Sequence, residues 1–468
     1  MNTDNEVFSE SLAYAQVKKR ATASRSYRVK IPSSNGTNFS PGQTINIDLP
    51  SNQAGSYANM NQAYLKFKVT YTGANGAILD RNGAYNFIKR LSIQTAGTTL
   101  SDIQNYNVLT CAMMDMQCSH EWKASSGKQL IGCYGDALRG EEYAAGNTRT
   151  YCLPIILNCL SNTTPHRLIP LFSLSNLQLR FQLESAAAAL VGTDAGYIVS
   201  DVEYVCMITE LSPGSQAKVD AMTNGDYNIL ALNFMNATAS QATAQNSVTA
   251  NLGFSMSSLE RIIVCHRKTD AATGTATVFS NSRISNGLDQ YNFLINSQQY
   301  PDRPIMISED RQGAEVWAET LISDHRLTDF GRGCPINTGL AAIPYSSTGS
   351  SDLTGSAPSV VKINSYLLSA ADAGGTTAGE AGVAANADSD GTAIESNIGT
   401  FVASAEFESG LSDGKSSHIY SGISTIGSTV QYVGNYTGAV ACQIDFFAVY
   451  TVLLNLNMRG LGTWQIRV

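Results

Sequence analysis

The sequence has few charged side chains and no long apolar run. Only 15% of its 468 residues are Asp, Glu, Lys or Arg, against about 25% in an average globular protein. Coiled coils and long helical bundles are rich in Glu, Lys and Arg, so this composition argues against them. No window of about 18 consecutive apolar residues occurs, and the first residues form neither a basic nor an apolar stretch. We therefore expect no transmembrane segment and no signal peptide.

The sequence also lacks an excess of cations and a regular cysteine pattern. Its net charge is −8, which argues against a nucleic-acid footprint over the whole chain. The nine cysteines are odd in number and include no Cys-x-x-Cys pair. This predicts a reducing compartment rather than a disulfide framework. Cys206 and Cys442 lie in apolar strand patterns and are interpreted as small buried hydrophobic residues.

Alternation of apolar and polar residues is the main signal that is present. This period of two is typical of antiparallel strands with one buried face. The run 444–456 is apolar on both faces and predicts a central strand, whereas helical spacing predicts helices over 105–118 and 309–325. The alternating segments are 43–49, 65–71, 87–94, 177–184, 198–208, 227–234, 248–254, 259–266 and 291–296.

A short predicted helix separates two strand-rich blocks with the same order of elements. Ser212 can cap this helix, Pro213 suits its first position, and Asn224 with the following glycine can end it. The matching order predicts a tandem duplication of one all-β unit. The predicted divisions are an N-terminal arm over 1–32, a first unit over 33–211, a connecting helix over 212–225 and a second unit over 226–468.

Two segments outside the strand blocks carry charge of a single sign. Residues 369–393 contain only acidic charges and are rich in Ala and Gly, so a large exposed loop is expected over about 340–395. The arm has no acid between Val17 and Pro32 and can be either a solvated tail or a contact to an acidic partner or packaged nucleic acid. Its basic residues are Lys18, Lys19, Arg20, Arg25, Arg28 and Lys30.

Signals for catalysis or metal binding are weak. The segment Gly410–Gly414 matches Gly-x-Ser-x-Gly, but no convincing helix follows it. The only later histidine, His418, comes four residues after Gly414, with just Asp413 as an acid between it and Ser412. Cys118 with His120, and Cys265 with His266, could each give two metal ligands without a third or fourth. We therefore predict no enzyme, no catalytic residue, no cofactor, no metal site and no small-molecule substrate.

A calcium site in the acidic loop is left open. Asn386, Asp388, Asp390 and Gly391 resemble the start of a calcium-binding loop. Asn397 stands where the bidentate glutamate would be needed, and flanking helices are absent from the pattern. An acidic solvated loop is the favoured interpretation of these residues.

Three segments resemble a known family. They are Leu49–Val69, Leu211–Pro213 and Gln290–Pro304, and they are similar to the opening strands, the interdomain exit and a second-domain segment of double jelly-roll major capsid proteins of the adenovirus and tectivirus lineage. The likeness is greatest to those of polinton-like viruses and virophages. It implies an all-β chain of two tandem eight-stranded antiparallel jelly rolls, with a few short helices in the connections.

The resemblance also implies a structural role in a virion. The expected assembly is a homotrimer of pseudo-hexagonal outline that contacts neighbouring capsomers and tiles an icosahedral shell, with penton and minor capsid proteins as further partners. Loops 269–287 and 340–395 would form outer towers. The arm would lie on the inner face and would be the one route to direct genome contact.

Two other functions are compatible with an all-β chain. A β-sandwich receptor- or glycan-binding spike or fibre protein would need aromatic platforms in its loops, and 369–393 contains no aromatic residue. A jelly-roll glycoside hydrolase would need two facing carboxylates. Glu315, Glu319 and Glu406 are the possible donors, although no spacing singles out a pair.

Overall fold

In the computed structural model, the chain is described from residue 24 to 467 with several gaps. The residues left outside the description are 1–23, 51–54, 75, 81, 96–97, 134–138, 145, 165, 173–176, 192–194, 225, 270–279, 308–313, 326, 328–400, 409–421, 438, 458–463 and 468. Most of the predicted acidic loop, the Gly410–Gly414 motif and the residues of the calcium-like pattern lie among these. Within the described part, no helix is both long and apolar enough to span a bilayer.

Strands make up most of the described chain. In the first half they are β1 (Ser24–Pro32), β2 (Asn38–Phe39), β3 (Thr44–Asp48), β4 (Ser56–Tyr71), β5 (Ala77–Asp80), β6 (Ile88–Thr95), β7 (Thr98–Gln104), β8 (Arg139–Tyr143), β9 (Thr148–Pro154), β10 (Thr163–Thr164), β11 (Ile169–Pro170), β12 (Gln178–Leu183), β13 (Leu190–Val191) and β14 (Tyr197–Leu211). In the second half they are β15 (Asp226–Gln241), β16 (Ser247–Asn251), β17 (Leu259–Lys268), β18 (Leu288–Ile295), β19 (Gln298–Met306), β20 (Ala403–Glu406), β21 (Val430–Tyr436), β22 (Cys442–Asn457) and β23 (Trp464–Arg467).

The helices are short and lie in the connections. They are α1 (Tyr106–Gln117), α2 (His120–Trp122), α3 (Lys128–Ile131), α4 (Ala186–Ala189), α5 (Pro213–Thr223) and α6 (Ala314–Ser323), with a 3₁₀ turn at Gly83–Phe87 and a π turn at Lys123–Gly127. The predicted helices over 105–118 and 309–325 correspond to α1 and α6.

Each half of the chain forms one complete eight-stranded jelly roll. In the second half, β15, β22, β17 and β20 form one sheet and β16, β21, β18 and β19 form the other. Numbered from one to eight along the chain, these strands have the orders 1-8-3-6 and 2-7-4-5. The first half repeats both orders, with β1, β14, β4 and β9 in one sheet and β3, β12, β6 and β7 in the other. The predicted all-β fold of two antiparallel jelly rolls is confirmed.

The alternating side chains meet between the two sheets of each roll. In the first roll the rings of Phe87 and Tyr197 have centroids 4.8 Å apart, and in the second those of Tyr432 and Phe446 are 4.9 Å apart. Strand β22 pairs with β15 on one side and with β17 on the other. Its residues 446–449 are fully buried, so the predicted central strand is confirmed.

The first jelly roll begins before the predicted boundary at residue 33. Strand β1 is the first of its eight strands, and it pairs with β14 from Ser24 opposite Leu211 to Pro32 opposite Glu203. Tyr27, Val29 and Ile31 face the core, while the residues between them are exposed. The prediction that the whole of 1–32 forms an arm is therefore wrong for 24–32, because the basic outer face of the strand obscured its alternation.

Helix α5 follows the first roll and precedes the second. The Ser212 hydroxyl accepts a hydrogen bond from the Ser215 amide at 3.3 Å, which caps the first turn. Asn224 adopts a left-handed conformation with φ of 54° and ends the helix. Both ends of this helix follow directly from residue types that the sequence displays.

Candidate functional site

Of the described basic residues of the predicted arm, Arg28 and Lys30 lie on the outer face of β1, whereas Arg25 lies on the same face as Tyr27 at the exposed start of the strand. Lys18, Lys19 and Arg20 lie outside the described residues. The Lys30 amine is 3.7 Å from a Glu203 carboxylate oxygen on β14, and this oxygen also accepts a hydrogen bond from Lys66 at 3.0 Å. The guanidinium of Arg25 lies over the ring of Tyr27, 5.2 Å from its centroid. Arg28 is exposed.

This surface is only partly free to bind an external anion. The Tyr27 hydroxyl donates to Glu210, and Lys66 lowers the pKa of Glu203 through its hydrogen bond. The acidic partner of Lys30 is therefore Glu203, which lies on the neighbouring strand of the same sheet. The ion pair weakens the attraction of β1 for an external anion. It adds little to the stability of the strand, since exposed ion pairs contribute little.

The two jelly rolls are joined by a buried charged cluster. Asp115 on α1 accepts a hydrogen bond from the Lys123 amine at 2.6 Å and another from the Arg283 guanidinium. All three side chains are at most 6% exposed. Arg283 precedes β18 of the second roll, whereas α1 belongs to the first. We call Asp115, Lys123 and Arg283 the junction cluster.

A second buried ion pair lies at the same junction. Asp445 on β22 accepts hydrogen bonds from Arg267 Nε at 2.7 Å and from Asn105 Nδ2 of the first roll at 2.9 Å. Arg267 also donates to the Ser280 carbonyl at 3.1 Å. Asp445 is completely buried, so its charge is compensated by groups from both rolls.

Neutral hydrogen bonds extend the junction. The Asn281 side chain donates a hydrogen bond to Asn86 Oδ1 at 2.7 Å, and the Asn281 backbone N–H donates to the Asp80 carboxylate at 2.9 Å. Asn233 of β15 donates to the Leu100 carbonyl at 3.0 Å. Strand β10 of the first half adds to the edge of the second roll by pairing with β15. The two rolls are therefore held by directional bonds, which fix their relative position more specifically than apolar contact does.

The segment 280–286 corrects an expectation about the outer towers. The resemblance implied a tower loop over 269–287, yet Ser280, Asn281, Arg283 and Ser285 are all buried at the junction. The polar composition of this segment favours an exposed loop, but Asn281 and Arg283 bond to polar groups of the first roll and Asn286 bonds to polar groups of the second. Residues 280–286 therefore do not form an exposed loop, and 270–279 lie outside the described residues.

The carboxylates considered for hydrolysis lie on α6 and at the end of β20. Glu315 and Glu319 lie on α6, and Glu315 accepts a hydrogen bond from the Met306 amide. Glu406 ends β20 and lies beside His325 and Glu408. Burial is the main cause of the raised pKa of Glu319, and the negative charge of the nearby Glu315 adds to it. His325 and Glu408 were not selected as site residues from the sequence, because they are far apart along the chain.

A titratable cluster surrounds Glu406. Burial raises the pKa of Glu406 above its ordinary value, and the adjacent Glu408 adds to the shift. Glu260 on β17 accepts a hydrogen bond from Thr451, and burial raises its pKa to about 7, with Glu408 contributing. Carboxylates are therefore crowded at this edge of the second roll.

An apolar groove of about 440 Å³ lies beside α5. Tyr57, Leu211, Val219 and Tyr227 contribute to its walls, and Arg167 is the one charged residue among the described groups that line it. No pair of acid and base faces this groove in the described part of the chain.

His266 makes stability sensitive to acid. Its ring is fully buried, Nε2 lies 2.9 Å from the Tyr436 hydroxyl, and burial lowers its pKa to about 3. The folded protein keeps this ring neutral while the unfolded chain protonates it below about pH 6.5. The contribution of neutral His266 to the free energy of unfolding is therefore fully present above about pH 6.5 and is lost as the pH falls towards 3. At pH 5 the loss is about 2 kcal/mol.

Urea denaturation of the wild type and of His266→Gln at pH 7.5 and pH 5.0 checks this prediction. The variant should lose about 2 kcal/mol less than the wild type between the two pH values, because glutamine does not titrate. Equal losses in both proteins would contradict the assignment of this acid sensitivity to His266.

The fold and junction define the chain as a double jelly-roll protein whose two rolls are fastened by buried polar contacts. No protein-family model matches the sequence, and no curated protein matches it. Solved structures do match. VP54 of PBCV-1, a crystal structure fitted into a reconstruction of the Sputnik virophage, has a TM-score of 0.58 at 10% identity, covering 97% of this chain and 99% of its own.

Two further structures share this fold. The Faustovirus major capsid protein has a TM-score of 0.57 at 9% identity and covers 94% of this chain and 92% of its own. A chain of the Sputnik virophage has a TM-score of 0.56 at 12% identity and covers 99% of this chain and 92% of its own. The likeness spans both rolls, so the chain has the double jelly-roll fold found in viral capsid structures.

Proposed function

We propose that the chain is a structural major capsid protein that trimerises into pseudo-hexameric capsomers and tiles an icosahedral virion shell. The observation that carries this proposal is the complete duplication of the jelly roll. The structural match to the viral proteins covers nearly the full length of this chain and of theirs. Jelly rolls are a common architecture of viral capsid domains. Three copies with two similar rolls each would place six rolls around a three-fold axis, which gives a nearly hexagonal outline.

The buried junction supports this role physically. A capsomer that packs against neighbours on all sides needs its two rolls in one fixed relation, and the Arg283–Asp115 ion pair and the Asn105–Asp445 hydrogen bond connect the two rolls. Neighbouring capsomers, penton proteins and minor capsid proteins are the partners that such a shell requires. We propose assembly inside the host cell and no enzymatic activity.

The expected mass of the purified protein is three times 49.9 kDa, or about 150 kDa, because homo-oligomers close through symmetric interfaces. Light scattering coupled to size exclusion measures this mass over a dilution series. Electron microscopy of the same fractions should reveal three-fold particles of hexagonal outline. A monomer at all concentrations, with no such particles, would contradict the proposal.

The N-terminal residues offer a separate test of assembly. Deleting 1–23 removes Lys18, Lys19 and Arg20 but keeps β1, which the first roll needs. We expect this variant to form trimers of normal stability and to assemble shells or retain nucleic acid less efficiently, since the basic contact is lost. A matched variant, Lys18→Gln with Lys19→Gln and Arg20→Gln, separates charge from length. Normal filled particles from both variants would exclude a role for these cations.

A further inference from the structure

The three side chains of His325, Glu406 and Glu408 converge at one edge of the second roll. His325 follows α6, while Glu406 and Glu408 lie at and just beyond the end of β20. His325 Nδ1 is 3.7 Å from Glu406 Oε1, and His325 Nε2 is 3.7 Å from Glu408 Oε2. One ligand atom from each residue lies within 4.8 Å of the other two. We call these residues the edge cluster.

The charge of the edge cluster is poorly compensated. The Glu408 side chain is 10% exposed, and its carboxylate shares a hydrogen bond with the carboxyl group of Glu260, which contributes to the raised pKa of Glu260. Arg261 is engaged elsewhere, since it donates to Asp324 at 2.9 Å and to the Ser323 carbonyl. Glu260 adds a further neighbouring carboxylate. Buried carboxylates normally have a cation or donors.

We propose that His325, Glu406 and Glu408 form a site for one divalent transition-metal ion of the zinc class. An imidazole and two carboxylates are ligands of borderline character, and with a water they complete the four positions that zinc prefers. Tetrahedral ligands about 2.1 Å from zinc are about 3.4 Å apart, whereas one ligand atom from each of these residues lies within 4.8 Å of the other two. Binding would therefore require the exposed His325 ring to turn and move inward, so that one nitrogen faces both carboxylates.

The ion would connect α6 to β20, because His325 follows α6 and Glu406 ends β20. These elements are distant in sequence, and both lie at the edge of the second roll beside β17. A ligand that binds the folded chain but not the unfolded one stabilises the folded state. Metal binding would therefore strengthen β20, which among the described residues pairs with a single strand, β17.

The test uses full-length protein with any purification tag removed. Wild type, Glu408→Gln, His325→Gln and the control His166→Gln are treated with EDTA, exchanged into buffer, and titrated with ZnCl₂ by calorimetry. His166 is exposed and outside the edge cluster, where its ring pairs with Asn61, so His166→Gln removes a histidine without removing a proposed ligand. We expect one zinc per chain in the wild type and the control, and at least a tenfold loss of affinity in the other two variants.

Thermal denaturation separates a metal site from a simple ion pair. Without metal, Glu408→Gln should be as stable as the wild type or more stable, because it removes repulsion between carboxylates. With zinc, the order should reverse, since only the wild type gains stability from the ion. Lower stability of Glu408→Gln in EDTA would indicate a His–Glu ion pair and overturn the proposal.

Crystals soaked in zinc give a direct location. An anomalous peak between His325, Glu406 and Glu408 is expected. Zinc binding that is equal in the wild type and the cluster variants, or a peak elsewhere with none at the edge cluster, would also overturn the assignment.

Discussion

Replacing Asp115 by Asn is expected to destabilise the protein by about 3–5 kcal/mol, because it leaves two buried cations without the carboxylate that neutralises them. Lys123 and Arg283 both donate to Asp115, and the substitution preserves the shape of the side chain. The loss therefore comes from charge rather than from a cavity. Since Arg283 belongs to the second half of the chain, the variant should also weaken the attachment of one roll to the other.

Asp102→Asn is the matched control for this prediction. Asp102 accepts two hydrogen bonds of 2.7 Å from Arg90, but the two side chains are 34% and 41% exposed. Solvent compensates the charges when this pair is broken, so we expect a loss below about 1 kcal/mol. Urea denaturation at a fixed protein concentration measures both variants. Equal losses would mean that burial does not set the energetic role of the junction cluster.

The alternation of side chains predicted many of the jelly-roll strands, but it predicted no strand at β7, β9, β19, β20 or β21. Segments such as 259–266 and 444–456 have one or two apolar faces, and each corresponds to a strand of the second roll. Helix α5 was predictable because Ser212, Pro213 and Asn224 are explicit start and stop signals. Strand β1 was missed because its exposed face is basic, and a charged outer face with three apolar residues resembles an unstructured tail.

The junction was not predictable from the sequence. Asp115 is a single charge within the apolar stretch of α1, which is a local sign of a buried partner. Nothing near Arg283 identifies that partner, since the residues that meet it are brought there by the packing of two separately formed rolls. The edge cluster has the same character, because His325 and Glu406 become neighbours only when α6 packs against β20.

The burial of Cys206 and Cys442 illustrates what local pattern can establish. Both side chains were interpreted as small hydrophobic residues of strands, and they are 1% and 2% exposed. Burial raises the pKa of Cys442 to about 12, so this thiol stays protonated and unreactive. Periodicity determines which face a residue occupies, whereas contacts between distant segments require the assembled fold.

Gly287→Ala is expected to cost about 3 kcal/mol more than the same change at Gly427, because only the first introduces a collision with the main chain. Both glycines have a positive φ, 69° at Gly287 and 72° at Gly427. A Cβ at Gly287 would lie 2.0 Å from the Thr437 carbonyl oxygen, whereas a Cβ at Gly427 would have nothing within 4 Å.

The contact at Gly287 joins β18 to β21 within one sheet of the second roll. The Thr437 amide donates to the Gly287 carbonyl at 2.7 Å, so the backbones cannot separate without losing this bond. Gly427→Ala bears only the conformational cost of a left-handed alanine, about 1–2 kcal/mol. Denaturation midpoints and soluble yield of the two variants measure the difference. Similar losses would show that the sheet adjusts at Gly287, and that conformation rather than close packing requires glycine there.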